Sequence, residues 1–158
     1  MPVLSGKLVD MSVLKSQASF FAIENPWRLL DRLLNPCRYR QAVQIGQRKV
    51  DLRWTSRAER LLQASSQPLI VELQLYFSCV VKKRVVFHHS ADFATTRVND
   101  RLEIAFRPIA SAVCDPREFA AHFPAGKDLS TGPAARMIPR SVEIDFRAGR
   151  WEGRFAYC

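Results

Sequence analysis

The side chains best suited to chemistry in this chain are basic. Lys82-Lys83-Arg84 is the densest cationic run, and Arg48-Lys49 forms a second pair at another expected loop. Ammonium and guanidinium groups hold phosphates as point charges and as planar forks. With Arg97 and Arg101, the run Lys82, Lys83 and Arg84 makes up the candidate anion-binding set. The ordinary alternative is that consecutive charges mark a solvated bend or protect a strand edge from aggregation.

Other chemistries have less to build on. His88, His89 and Asp92 are the candidate metal ligands, but neighbouring side chains of a strand point to opposite faces, so no metal centre is expected there. His122 is the one further histidine. Cys37, Cys79, Cys114 and Cys158 stand far apart with no C-x-x-C. Cys79 is expected to be reduced and packed on the apolar side of a strand. Cys114 lies just before an expected helix start at Asp115-Pro116, a position that lowers a thiol pKa, although a small apolar residue ending a strand reads the same way. The chain holds no G-x-S-x-G, no G-x-G-x-x-G and no G-x-x-x-x-G-K-[ST]. No catalytic residue and no cofactor is assigned, and a non-enzymatic role is expected.

Arg97-x-x-x-Arg101, followed by Asp128-Leu129-Ser130-Thr131-Gly132, resembles the R-x-x-x-R … D-x-S-x-x-G signature of PilZ domains, with Pro133 where that signature has its final glycine. Those domains are β-barrels that bind a cyclic dinucleotide. The resemblance implies that Arg97 and Arg101 grip phosphates and guanines, with Asp128 and Ser130 completing the site.

Composition bounds the setting of these groups. A chain of 158 residues, 47% hydrophobic and 25% charged, has the size and balance of a single globular domain. Its net charge of +9 points to an acidic partner, nucleotide or nucleic acid, or is compositional, since the arginines are scattered one or two per element. No apolar run approaches membrane-spanning length, and the opening MPVLSGKLVDMSVLKSQ has no signal-peptide core, so a cytoplasmic protein without membrane contact is expected.

The element on which the rest depends is Leu69 to His89. Its odd-numbered positions from Leu69 to Phe87 are apolar except Lys83, with His89 on the same side, and its even positions carry Glu72, Gln74, Tyr76, Lys82, Arg84 and His88. A period of two means strand, with one buried and one wet face. The stretch exceeds ordinary strand length, so it bends or folds back near Lys82–Arg84. A three-residue loop keeps Val81 and Val85 on one face.

Helical spacing places a helix over Val9–Ile23. A second, well-buried helix begins at Asn25-Pro26, carries Trp27, Leu29, Leu30, Leu33 and Leu34, and stops at Asn35-Pro36. A hairpin pairs Ile45 with Val50 and Val43 with Leu52. Ser56-Arg57-Ala58-Glu59 reads as a capping box with Leu61 and Leu62 inside. Pro108 within the strand from Leu102 calls for a bulge or an edge. A further helix carries Phe119 and Phe123, and 124–139 is an unpatterned loop of the kind that is functional or mobile. The last hairpin turns at Ala148-Gly149, pairing Phe146 with Trp151, Ile144 with Gly153, Val142 with Phe155 and Glu143 with Arg154.

These elements predict an α+β domain over 1–158, with residues 1–36 as a helical amino-terminal segment. It has a mostly antiparallel sheet of five to seven strands, helices on one face and a ferredoxin-like βαββαβ core. The outward face alternates acids with arginines and offers only Tyr76 for base stacking, so a wet or self-paired face is expected rather than RNA recognition. The function expected is a protein-interaction or self-associating module. The alternative is an anion, nucleotide or nucleic-acid binder with an arginine-rich surface.

Overall fold

The structure, a computed structural model, describes residues 25–112, 123 and 125–158. The expected helices over 9–23 and from Asp115, together with Cys114 and His122, lie outside the described residues.

Helix α1 covers Pro26–Leu34 and is described by itself, because a boundary between compact units falls at Leu33/Leu34. It starts as its sequence dictates: Pro26 takes the first helical position and Asn25 Oδ1 accepts a hydrogen bond from the Trp27 amide at 3.1 Å. The expectation that it is well buried is not met. None of its residues is buried, and Trp27, Leu33 and Leu34 are 72%, 79% and 70% exposed. Apolar spacing sets which side chains share a face, and it leaves open whether anything covers that face.

The remaining chain is strand-rich. One sheet has the order β1-β2-β8-β9, built from β1 (Cys37–Ile45), β2 (Arg48–Thr55), β8 (Ser141–Arg147) and β9 (Arg150–Ala156). The other has the order β4-β3-β6-β5, built from β3 (Leu69–Phe77), β4 (Val81–His88), β5 (Thr96–Asn99) and β6 (Leu102–Ser111). A short β7 (Gly126–Asp128) pairs with the far end of β6. The second helix, α2 (Ser56–Ala64), links the two sheets in sequence. The expected mixture of helix and largely antiparallel strand is therefore present, but the strands divide between two mixed sheets instead of forming one ferredoxin-like sheet.

Each sheet is two antiparallel hairpins joined by a parallel pair, β2 with β8 in one and β3 with β6 in the other. β3 and β6 run parallel because two strands, β4 and β5, intervene between them and do the work that a crossover helix usually does. The apolar parities face one another across the sandwich. Val50, Leu52 and Trp54 of β2 and Val142 and Ile144 of β8 join Leu69, Val71 and Leu73 of β3 and Leu102 and Ile104 of β6 in one core, with Ala58 and Leu62 of α2. The sheets also meet at their rims, β9 against β4 and β1 against β5. At the second rim Gln41 substitutes a side chain for ladder bonding: its Nε2 donates to the Val98 carbonyl at 2.6 Å.

Local chemistry explains the turns. The long alternating stretch folds back at Ser78-Cys79-Val80, with Phe77 opposite Val81, earlier than the basic run. Three loop residues leave the parity unbroken, so Leu73 opposes Val85 and Val71 opposes Phe87. Cys79 is consequently exposed at the turn and not packed on a strand. The β1–β2 turn is Gly46-Gln47, with Gly46 at φ +55°, which puts Val43 opposite Val50 and Ile45 opposite Arg48, two residues from the expected register. The β8–β9 pairs are all as expected.

Pro108 sits inside β6, opposite Leu75. A residue's N–H and C=O point to the same strand edge, and the Pro108 carbonyl accepts from the Leu129 amide at 2.8 Å, on the side away from β3. The missing donor thus falls between β5 and β7, and the β3 ladder is intact. α2 is capped by Thr55, whose hydroxyl accepts from the Ala58 amide at 3.2 Å, one residue ahead of the expected Ser56. Glu59 is drawn away from the cap by the Trp54 indole, which donates to it at 2.5 Å.

Candidate functional site

The outer faces of the two sheets differ. On the first, acids and arginines neutralise one another: Asp51 binds Arg40 and Arg53, Asp145 binds Arg57, and Glu143 binds Arg154. Exposed pairs of this kind contribute about 0–1 kcal/mol each. The face is self-paired, as the alternating charges imply.

The outer face of the second sheet is organised about a buried acid. β3 is flanked on both sides, and Glu72 is 1% exposed. One carboxylate oxygen faces His88 Nε2 of β4 at 2.7 Å. The other accepts from Arg107 Nη1 of β6 at 2.8 Å and from Gln74 Nε2 at 2.8 Å. Arg107 also donates to Asp128 of β7 at 3.1 Å, and Asp128 accepts from the Ser130 amide at 2.7 Å and from the Ser130 hydroxyl. Phe93 lies against the Arg107 guanidinium, 4.6 Å from the ring centre, and edge-on to His88. Burial works against the Arg107 charge, and the Asp128 and Glu72 carboxylates outweigh it and raise its pKa. Burial also pushes the Asp128 carboxyl up, but Ser130 and Arg107 prevail and hold it below the usual range. The result is an ionic network tying β4, β6 and β7 to β3, in which the Gln74 Oε1 is buried without a hydrogen-bond partner among the described residues. No local sequence signal marks it, because its members are brought together by pairing across strands.

The expected anion-binding residues fall in three places. Lys82 and Arg84 of β4 share the Phe123 ring, at 5.6 and 4.5 Å from its centre, and Tyr76 meets that ring edge-on. Lys83 points to the opposite face, over the rings of Tyr157 (5.2 Å) and Phe155 (5.8 Å). Arg97 of β5 pairs with Asp100 at 2.6 Å. Arg101 donates to the Gln63 carbonyl at 3.1 Å and to that of Ser65, closing the carboxyl end of α2. Asp128 stands opposite Ile109, at the other end of β6 from Arg101, and Ser130 is bonded to it. At about 3.3 Å per residue that is roughly 26 Å. The residues of the PilZ-like motif are therefore not brought together.

His88 faces Glu72, while His89 and Asp92 are exposed beyond the strand. Among the described residues no group of three His, Cys, Asp or Glu side chains is placed to hold a metal ion. Cys37, Cys79 and Cys158 are exposed. The Cys37 thiol is nonetheless pushed up by local desolvation and by the Glu143 and Asp145 carboxylates, which makes it a poor nucleophile.

One open cleft, of about 650 Å³, lies between the β1–β2 turn and the segment leading through a 3₁₀ turn at Pro133–Arg136. No helix among the described residues is long and apolar enough to cross a membrane. No protein-family model, curated protein or solved structure matches this chain significantly.

Proposed function

We propose that this is a small, cytoplasmic, non-catalytic interaction module that self-associates or binds a protein partner through α1. One observation carries the reading. Trp27, Leu29, Leu30, Leu33 and Leu34 are all exposed on a nine-residue helix. Contiguous apolar surface of that kind is uncommon on monomers and marks contact sites. An amphipathic helix also suits the helix-in-groove mode of recognition or an isologous dimer. The test is sedimentation over a concentration series for the wild type and for Leu30→Glu/Leu34→Glu. The expected result is a concentration-dependent dimer that the double variant abolishes with its circular dichroism unchanged. A wild-type protein that remains monomeric throughout the series and captures no partner overturns the reading.

A second reading, an anion or nucleic-acid binder centred on Lys82, Lys83 and Arg84, has its own support. Lys83 and Arg84 meet aromatic rings and form no ion pair with a described carboxylate. Phosphate contacts by such residues predict oligonucleotide affinity that falls steeply with salt. Binding unaffected by salt, or by Lys83→Ala, removes this reading.

A further inference from the structure

We infer that the cleft between the β1–β2 turn and the 3₁₀ turn is a binding site for a small phosphomonoester. The inference is independent of α1 and of the basic run on β4. A volume of about 650 Å³ falls in the range of small-molecule sites, about 300–1,000 Å³, so there is room for an organic group beside an anion.

The charge of the cleft gives the class of ligand. Its lining contains two arginines, Arg48 and Arg136, and no carboxylate. Seven other arginines, Arg40, Arg53, Arg57, Arg97, Arg107, Arg150 and Arg154, have acid partners, whereas Arg84 lies on the Phe123 ring and Arg101 is taken up by backbone carbonyls. Arg136 makes no ion pair with a described residue, and Arg48 makes none either. Arg48 is instead fixed through its backbone partner: Nη1 donates to the Ile138 carbonyl at 3.0 Å. That bond orients the remaining N–H groups before any ligand arrives, which lowers the entropy cost of binding. Two guanidinium forks suit a dianion, and the lining also contains Thr131 and Gln47, whose side chains are neutral and polar.

The rest of the lining selects an ester over the bare ion. Pro133, Ala135 and Ile138 present apolar surface beside the two cations, and Ile138 is itself buried in the core. Gly46 holds φ +55°, and its missing side chain leaves Ile138 Cδ1 only 3.3 Å from where a Cβ would stand. The wall is therefore set by the turn and by the core together, and does not depend on a mobile side chain.

The test is calorimetric titration of the full chain with ribose 5-phosphate, with ribose and inorganic phosphate as comparisons. Saturable binding of ribose 5-phosphate is expected, with ribose silent and inorganic phosphate weaker. Arg136→Ala should reduce the affinity about tenfold, the loss of one charge-assisted contact. Arg48→Lys, which keeps the charge and removes the fork, should also weaken binding, whereas Arg97→Ala should leave it unchanged. No saturable binding at millimolar concentration overturns the proposal. So does equal affinity for inorganic phosphate (an adventitious ion only), or an Arg97→Ala loss as large as that of Arg136→Ala.

Discussion

Gly153 of β9 stands against Val85 of β4, so close that a Cβ on residue 153 would lie 2.7 Å from Val85 Cγ1 and 3.0 Å from Phe87 Cζ. This is where the rim of one sheet meets the rim of the other, and Ile144 opposite Gly153 fills the space on the paired strand. Overpacking at such a contact costs about 1–3 kcal/mol. Gly153→Ala should lower the urea midpoint accordingly, and Gly153→Val should lower it further. An unchanged midpoint in both would show that the rim contact is loose.

Glu72 holds Arg107 and His88 from inside the sheet. Removing one member of a buried ion pair typically costs about 3–5 kcal/mol when the other charge is left unpaired. Arg107 keeps Asp128 as a second partner, so Glu72→Leu should cost less than that by chemical denaturation. Glu72→Leu/Arg107→Leu should cost less than the sum of the two single variants, since each of them already loses the Glu72–Arg107 interaction. A double variant as unstable as the sum of the single ones would contradict a coupled network.

The Asp145 carboxyl is opposed by burial, but hydrogen bonds from Arg57 and Thr55 and the Arg57 charge outweigh it and hold its pKa below the usual value. A folded pKa below the unfolded one adds stability that is complete above the unfolded value, about 3.9, and lost as pH falls through the folded one. Asp145→Asn should therefore be destabilised at neutral pH, with the gap to wild type closing below about pH 4. A constant gap across that range would rule out the linkage.

Ala148 occupies φ 49° beside Gly149 at φ 76°, the two-residue turn in which both positions are left-handed. Asn-Gly is the preferred pair for that geometry, and a non-glycine residue there is held at a cost of about 1–2 kcal/mol. Ala148→Asn should raise the midpoint by about 0.5–1 kcal/mol in stability with the denaturant slope unchanged. A lower midpoint would mean that the turn relaxes in solution.

The limits of legibility follow from which interactions are local. The β8–β9 hairpin could be read residue by residue because Ala148-Gly149 marks its turn and Phe146, Trp151, Val142 and Phe155 agree on one face. At β1–β2 the pattern was ambiguous by two residues. Such a slip leaves Val43, Ile45, Val50 and Leu52 facing inward, so hydrophobicity cannot detect it, and only the backbone of Gly46 decides. The basic run Lys82–Arg84 looked like the bend of a long strand, but charge marked an exposed strand and the turn formed at Ser78–Val80. Arg101 reads as an anion ligand by residue type, yet α2 supplies it with carbonyl oxygens from 36 to 38 positions away. Glu72 was legible as a strand residue and not as a hub, since its partners His88 and Arg107 become neighbours only once β3 lies between β4 and β6.

The nesting of the hairpins has a kinetic consequence. Asp51 pairs with Ser141 and Trp54 with Ile144, so the β2–β8 seam of the first sheet joins positions about 90 residues apart, with every strand of the second sheet encoded between them. Loop-closure entropy and high contact order both delay such a pairing. The β3–β6 seam of the second sheet joins positions only about 33 apart, Leu69 with Leu102, so that sheet is expected to assemble first and to serve as the surface on which β2 and β8 find each other. In the native protein the same seam should be the first to open, and amide exchange at Leu52 and Val142 should report that opening before exchange at Val71 and Leu73 does.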